Sequence, residues 1–188
     1  MHRDIVWEWI DRAGLEHLSL DIADDAITAE SLVVVALGGD VVKLRYCICC
    51  DGGWGVREVS LSIDGTGEQH SVRLVRNDIG DWLVDGVTRP DLAGCDDIDI
   101  KTSPFTNTLP IRRLALSLGE AMPLRVAYID VPTLRIEAFD QEYTRLDPAV
   151  PARRFRYRSV ASGFVAALEV DADGVVTDYP GLWRRRCG

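Results

Sequence analysis

From Trp7 to Asp85 the chain alternates apolar and polar residues in short runs, and most of the runs stop at a cluster of glycine, aspartate or asparagine. Successive side chains of a strand project to opposite faces, so a period of two marks a strand with one face buried. Trp7 and Trp9 flank Glu8. Leu18, Leu20 and Ile22 alternate with His17, Ser19 and Asp21. Ser31 to Leu37 is an apolar, β-branched run that fits a strand covered on both faces or facing a cavity. Leu44, Tyr46 and Ile48 share a face of the run Val41 to Cys50, as Val59, Leu61 and Ile63 do in the next. Gly38-Gly39-Asp40, Asp51-Gly52-Gly53 and Asp64-Gly65-Thr66-Gly67 tolerate the positive φ that tight hairpins need. The pattern predicts a meander.

The second half repeats it. Leu124 to Val131 and Leu134 to Phe139 read as strands parted by Pro132, and Gln141 to Leu146 stays extended before a loop from Asp147-Pro148 to Pro151. In Arg153 to Ser159, Phe155 and Tyr157 oppose Arg154, Arg156 and Arg158. Phe164 to Val170 and Val175 to Asp178 form a hairpin across Asp171-Ala172-Asp173-Gly174.

One stretch departs from this pattern. Cys95 to Leu116 begins as a strand, with Ile98 and Ile100 opposite Asp97, Asp99 and Lys101. Pro104 ends the ladder because it has no N–H to give. Ser103, Thr106, Asn107 and Thr108 then favour a turn and a helix start, with Asn107 or Thr108 as the N-cap. Ile111, Leu114, Ala115 and Leu118 keep helical spacing, Arg112 and Arg113 lie off that stripe, and Gly119 suits the helix end. One short helix among many strands predicts a mainly β fold. Its form is a single-domain antiparallel β-roll or barrel-like sheet over residues 1–188. Closing such a sheet removes its edges and creates an interior.

The chain of 188 residues is 47% hydrophobic and 27% charged, enough for a substantial core in one domain. Its net charge of −9 is uneven: residues 1–103 carry −11 and the rest +2. An acidic whole argues against nucleic acid and against docking on anionic membranes. The first residues lack the apolar core of a signal peptide, and no apolar run is long enough for an integral membrane segment. The five cysteines, with Cys47, Cys49 and Cys50 nearly adjacent, suit a reducing cytoplasm.

SPFTNTLPIRRL, from Ser103 to Leu114, resembles the signature of the putative glycolipid-binding family, a bacterial family of about this length. The resemblance extends to LEHLSL (Leu15 to Leu20), EYTRLDP (Glu142 to Pro148), RRFRYRS (Arg153 to Ser159) and LEVDADGVVTDYPGLWRR (Leu168 to Arg185), in the expected order. It implies an antiparallel β-roll able to enclose an apolar ligand.

Catalytic chemistry finds little support. His2, His17 and His70 are scattered, and no nucleophile motif surrounds a serine or cysteine. Cys47 and Cys49 share a strand face about 7 Å apart while Cys50 points away, which fits reduced, buried, metal-free thiols better than a zinc knuckle. Asp96, Asp97 and Asp99 are half a cation site without the rest, and read as a solvated strand face. No metal and no cofactor are expected. The informative set is Asn107, Arg112, Arg113, Tyr143, Arg145, Arg156 and Tyr157, all within the segments that carry the resemblance. Arginine forks suit phosphate or carboxylate heads, and tyrosines stack on sugar rings. The competing reading pairs these arginines with the plentiful surface carboxylates. The expected function is noncatalytic binding of a lipid-like or glycolipid-like amphipathic small molecule in an apolar roll. The alternatives are a hydrolase or lyase acting on such a molecule, and a protein-interaction module.

Overall fold

The structure, a computed structural model, describes residues 1–65, 70–146 and 153–188. The turn residues Thr66 and Gly67 and the loop Asp147 to Pro151 fall outside the described residues. The first half supplies β1 (His2–Trp9), β2 (Gly14–Ile22), β3 (Ala26–Leu37), β4 (Asp40–Asp51), β5 (Val56–Asp64), β6 (His70–Arg76), β7 (Trp82–Val84) and β8 (Val87–Thr88). Then come β9 (Cys95–Ile100) and the single α-helix among the described residues, α1 (Thr108–Leu114). The second half supplies β10 (Ala121–Ile129), β11 (Ile136–Arg145), β12 (Arg153–Ser159), β13 (Val165–Val170), β14 (Val176–Tyr179) and β15 (Trp183–Cys187).

All fifteen strands belong to one sheet, ordered β8-β7-β6-β5-β4-β3-β2-β1-β15-β14-β13-β12-β11-β10-β9. Two meanders are joined where β1 pairs antiparallel with β15. Among the described strands the one parallel pair is β9 with β10, because the helix-bearing crossover between them returns the chain in the same direction. The roll is not closed by a ladder; its edges are β8 and β9. Side chains tie this seam instead. Trp82 Nε1 donates to the Cys95 carbonyl at 2.8 Å, and Arg89 Nη2 to the Ile136 carbonyl at 3.0 Å.

The alternation read from the sequence sets the inner face. Ile5, Trp7, Leu18, Leu20, Leu44, Ile48, Ile63 and Leu74 are all fully buried there. β3 alternates like the others: Val33 and Val35 face inward, while Leu32 and Val34 are only half-buried on the outside. At the β4–β5 turn the positive φ belongs to Trp54, at 68°, and not to the glycines. Gly52 is there for space, since a Cβ would lie 2.2 Å from the Asp24 carbonyl oxygen.

The stretch from Thr102 to Ile111 departs most from its expected setting. Every one of these residues is buried, so the polar turn fills the interior of the roll. The interior expected to be apolar therefore also holds a plug, the buried polar side chains of Thr102, Ser103, Thr106, Asn107 and Thr108. A 3₁₀ turn, Phe105–Asn107, runs directly into α1. Asn107 thus has helical φ and ψ (−66°, −25°) and makes no capping bond, contrary to the N-cap expectation. The helix also ends earlier than its apolar spacing suggests. Ala115 turns left-handed at φ 45°, and Leu118 is exposed, so Gly119 is not the helix end.

Candidate functional site

Three carboxyls hold the plug. Asp97, on β9, is fully buried and takes a bidentate pair from Arg113 of α1, with Nη2 to Oδ2 at 2.7 Å. Asp99 accepts from Gln141 Nε2 at 2.6 Å and Thr106 Oγ1 at 3.2 Å. Glu16, on β2, accepts at Oε1 from Ser31 and Ser103, each at 2.9 Å, and from Tyr46. Burial pushes the Glu16 carboxyl up to about 7, against the pull of these three donors. Burial raises Asp97 and Asp99 as well. The aspartates are therefore not a solvated face, because the plug covers the side of β9 that the alternation assigned to water. Glu16 was passed over in the sequence, although it sits in the inward phase of Leu18 and Leu20.

Beside the plug lies a pocket of about 350 Å³. Its walls are aromatic: Tyr128, Phe139, Tyr157, Phe164, Tyr179 and Trp183. Asp99, Lys101, Ser103, Asn107, Ser159 and Ser162 add polar groups. Tyr128 and Phe139 stack at 4.5 Å with 4° between their planes. Tyr157 meets Tyr143 edge-on at 5.4 Å and Tyr179 at 6.3 Å. Burial raises the Tyr157 and Tyr179 phenols well above their ordinary value, so both stay neutral hydrogen-bonding groups. Half-buried Asp99 presents the pocket's one carboxyl among the described lining residues.

The seven residues singled out in the sequence do not converge on one site. Asn107 and Tyr157 line the aromatic pocket. Tyr143 stands behind it, donating its hydroxyl to Asn107 Oδ1 at 2.8 Å, while Asn107 Nδ2 donates to the Pro104 carbonyl at 3.2 Å. Arg112 and Arg145 line a second cleft, of about 300 Å³. Arg113 is engaged by Asp97. Arg156 lies on the outer face, bonded to Thr144 Oγ1 at 3.1 Å and 3.6 Å from Glu142, because residues 155 and 157 take the inner phase of β12. Asp99, Tyr128, Phe139, Phe164, Tyr179 and Trp183 were not singled out. Alternation marked several of them as inward, but only the rolled sheet brings strands so distant in sequence together.

All five cysteines are free thiols. Cys50 and Cys95 are buried, but Cys47 and Cys49 are only half-buried on the outer face, with sulfurs 4.0 Å apart. Burial pushes the thiols of Cys47 and Cys50 up to about 12, which keeps them protonated. Among the described residues no cluster of three histidine, cysteine or carboxylate side chains could hold a metal ion, and no helix is long and apolar enough to cross a membrane.

A larger trough of about 700 Å³ crosses the outer face of β2 to β6. It draws only His17 and Ser19 from the segments that carry the family resemblance. The aromatic pocket, in contrast, takes Ser103 and Asn107 from the central motif, Tyr157 and Ser159 from RRFRYRS, and Tyr179, Leu182 and Trp183 from the last segment. Segments far apart in the chain thus converge there.

The sequence profile described as putative glycolipid-binding matches residues 4–185. A crystal structure of a DUF1089 family protein from Pseudomonas aeruginosa superposes with a TM-score of 0.81 at 36% identity, covering 91% of this chain and 92% of that one. No functionally curated protein matches. A profile spanning almost the whole chain, together with a shared fold at this identity, shows that the chain belongs to the putative glycolipid-binding family.

Proposed function

We propose that the protein binds a carbohydrate-bearing amphipathic molecule without transforming it, and that the sugar ring enters the aromatic pocket. The observation that carries this reading is the pairing of flat aromatic walls with the Asp99 carboxyl. Sugars offer apolar C–H faces and polar hydroxyl edges, so rings that stack and a fixed acceptor satisfy both at once. About 350 Å³ suits one or two sugar rings rather than a long acyl chain. The chain of an amphipathic ligand would run over the rim, where Val160 and Phe164 are 48% and 42% exposed and Leu182 lies close by.

The composition of the pocket favours binding over glycoside hydrolysis. That chemistry uses two carboxyls about 5–10 Å apart across the sugar. Asp99 is the only carboxyl among the described lining residues, and it is already tied to Gln141 and Thr106.

The test is native mass spectrometry of the purified protein after incubation with a total bacterial lipid extract. The expected result is an adduct with the mass of a glycolipid. Tyr157→Ala and Asp99→Asn should each reduce it at least about tenfold, with the fold checked by circular dichroism. An absence of adducts, or adducts equally abundant in both variants, overturns the reading.

A further inference from the structure

We propose that the cleft formed by Arg112, Arg145 and Arg153 is a second binding site, one that takes a phosphate group. It shares no lining residue with the aromatic pocket and does not rest on the carbohydrate reading.

The first argument is charge. Most arginines of this acidic chain are matched to a carboxylate, as Arg3 is to Asp171, Arg73 to Glu58, Arg113 to Asp97 and Arg125 to Asp140. Arg45, Arg112, Arg145 and Arg153 make no ion pair among the described residues, and three of these four line the same cleft. No described lining residue is acidic. The carboxylates of the adjoining hairpin are engaged elsewhere: Asp171 takes Arg3 at 2.8 Å and Arg185 at 2.6 Å, and Asp173 takes Arg3 at 2.9 Å. Three cations left together in a protein of net charge −9 call for an anion.

The second argument is that two of the guanidiniums are held in place. Arg112 lies over the Trp54 ring, 5.2 Å from its centroid. Trp54 is itself kept at φ 68°, a conformation that bulky residues rarely adopt and that persists only where the surroundings enforce it. Gly174, at φ 78°, leaves room for the arginine stem; a Cβ there would lie 2.9 Å from Arg112 Cδ. Arg145 Nη1 donates to the Leu116 carbonyl at 2.8 Å, which fixes the group, and its other N–H donors make no hydrogen bond among the described residues. Arg153 shares the inner phase of β12 with Phe155 and completes the cleft from the exposed side.

The third argument is chemical fit. A guanidinium presents two parallel donors that match two oxygens of a phosphate. A phosphate monoester carries about −1.5 to −2 charges at neutral pH, closer than a carboxylate to what three arginines neutralise. Ile111, Phe155 and Val170 form an apolar floor, which strengthens each charged hydrogen bond by excluding water.

The test is isothermal titration calorimetry at constant ionic strength, with inorganic phosphate, glycerol 3-phosphate and a lysophosphatidic acid below its micelle concentration. Wild type should bind inorganic phosphate saturably at one site. Arg153→Ala, which removes an exposed side chain with no described bond, should weaken binding about tenfold. Arg145→Ala combined with Arg153→Ala should abolish it, while Tyr157→Ala should leave it unchanged. Equal affinity for the two esters makes a soluble phosphate the source. Affinity about tenfold higher for the lysolipid makes it a lipid headgroup. No saturable phosphate binding, or unchanged affinity in a double variant whose circular dichroism and melting match the wild type, overturns the proposal. Loss of glycolipid adducts in Tyr157→Ala with phosphate binding intact tells failure of one site from failure of the other.

Discussion

The Ser103 hydroxyl lies 2.9 Å from Oε1 of Glu16, so the buried turn in mid-chain is bonded directly to the second strand, 87 residues away. Tyr46 and Ser31 converge on the same oxygen, and Tyr46 also reaches Ser103 at 3.0 Å. This group fixes one end of the plug, and Asp97 with Arg113 fixes the other. What lies between them shapes both clefts.

Glu16 makes stability depend on pH. Its carboxyl rises from 4.5 to about 7, chiefly through burial, so the native state holds a proton that the unfolded chain releases. The resulting stability is fully present below about pH 4.5 and is lost as pH rises through about 7. The shift is worth about 3 kcal/mol. Raised Asp97 and Asp99 act with the same sign. Urea midpoints should fall between about pH 5 and 8, and Glu16→Gln should flatten that slope. An equally steep slope in the variant would show that another group titrates.

Asn107→Asp separates a capping role from a bridging one. A capping asparagine tolerates aspartate. Here the amide donates to the Pro104 carbonyl, so aspartate would set a buried carboxylate against a carbonyl oxygen. The expected loss is about 2 kcal/mol or more in chemical denaturation at pH 7. Tyr143→Phe, which leaves Asn107 Oδ1 without its donor, should cost about 1–2 kcal/mol. A neutral result for Asn107→Asp would restore the capping role.

Arg113→Leu strands a fully buried Asp97 and should cost about 3 kcal/mol or more. Adding Asp97→Asn should recover part of that loss, because the orphaned charge is gone. Equilibrium unfolding of the two single variants and the double gives the coupling directly. Purely additive losses would show that the pair is not coupled.

Gly174→Ala tests how tightly the arginine cleft is built. The new methyl meets Arg112 Cδ at 2.9 Å, on a backbone at φ 78° that L residues disfavour. A loss of about 1–2 kcal/mol in thermal or urea unfolding is expected. Quenching or a spectral shift of tryptophan fluorescence should accompany it as the guanidinium leaves the Trp54 ring. An unperturbed spectrum would mean that Arg112 does not depend on this glycine.

The sequence by itself determined most of the strands, the short helix and most of the inner face, but not β8 or β15, which the alternation did not mark. Period-two alternation is local, and Leu18-Ser19-Leu20 or Phe155-Arg156-Tyr157 can point only one way once one face is buried. It also singled out Ser103 to Arg113 as unlike the rest. It misplaced Asp97 and Asp99 because alternation tells only that two faces differ, not that a distant segment covers the second one. It could not divide Arg112 from Arg113, or Arg156 from Arg145, because what engages them, Asp97 for Arg113 and the Trp54 ring for Arg112, comes from distant parts of the chain. The tertiary structure alone decided that the polar turn fills the roll, that Glu16 and Asp97 are enclosed, and that three arginines without an ion pair among the described residues meet. Each of these depends on contacts across tens of residues, which no local periodicity encodes.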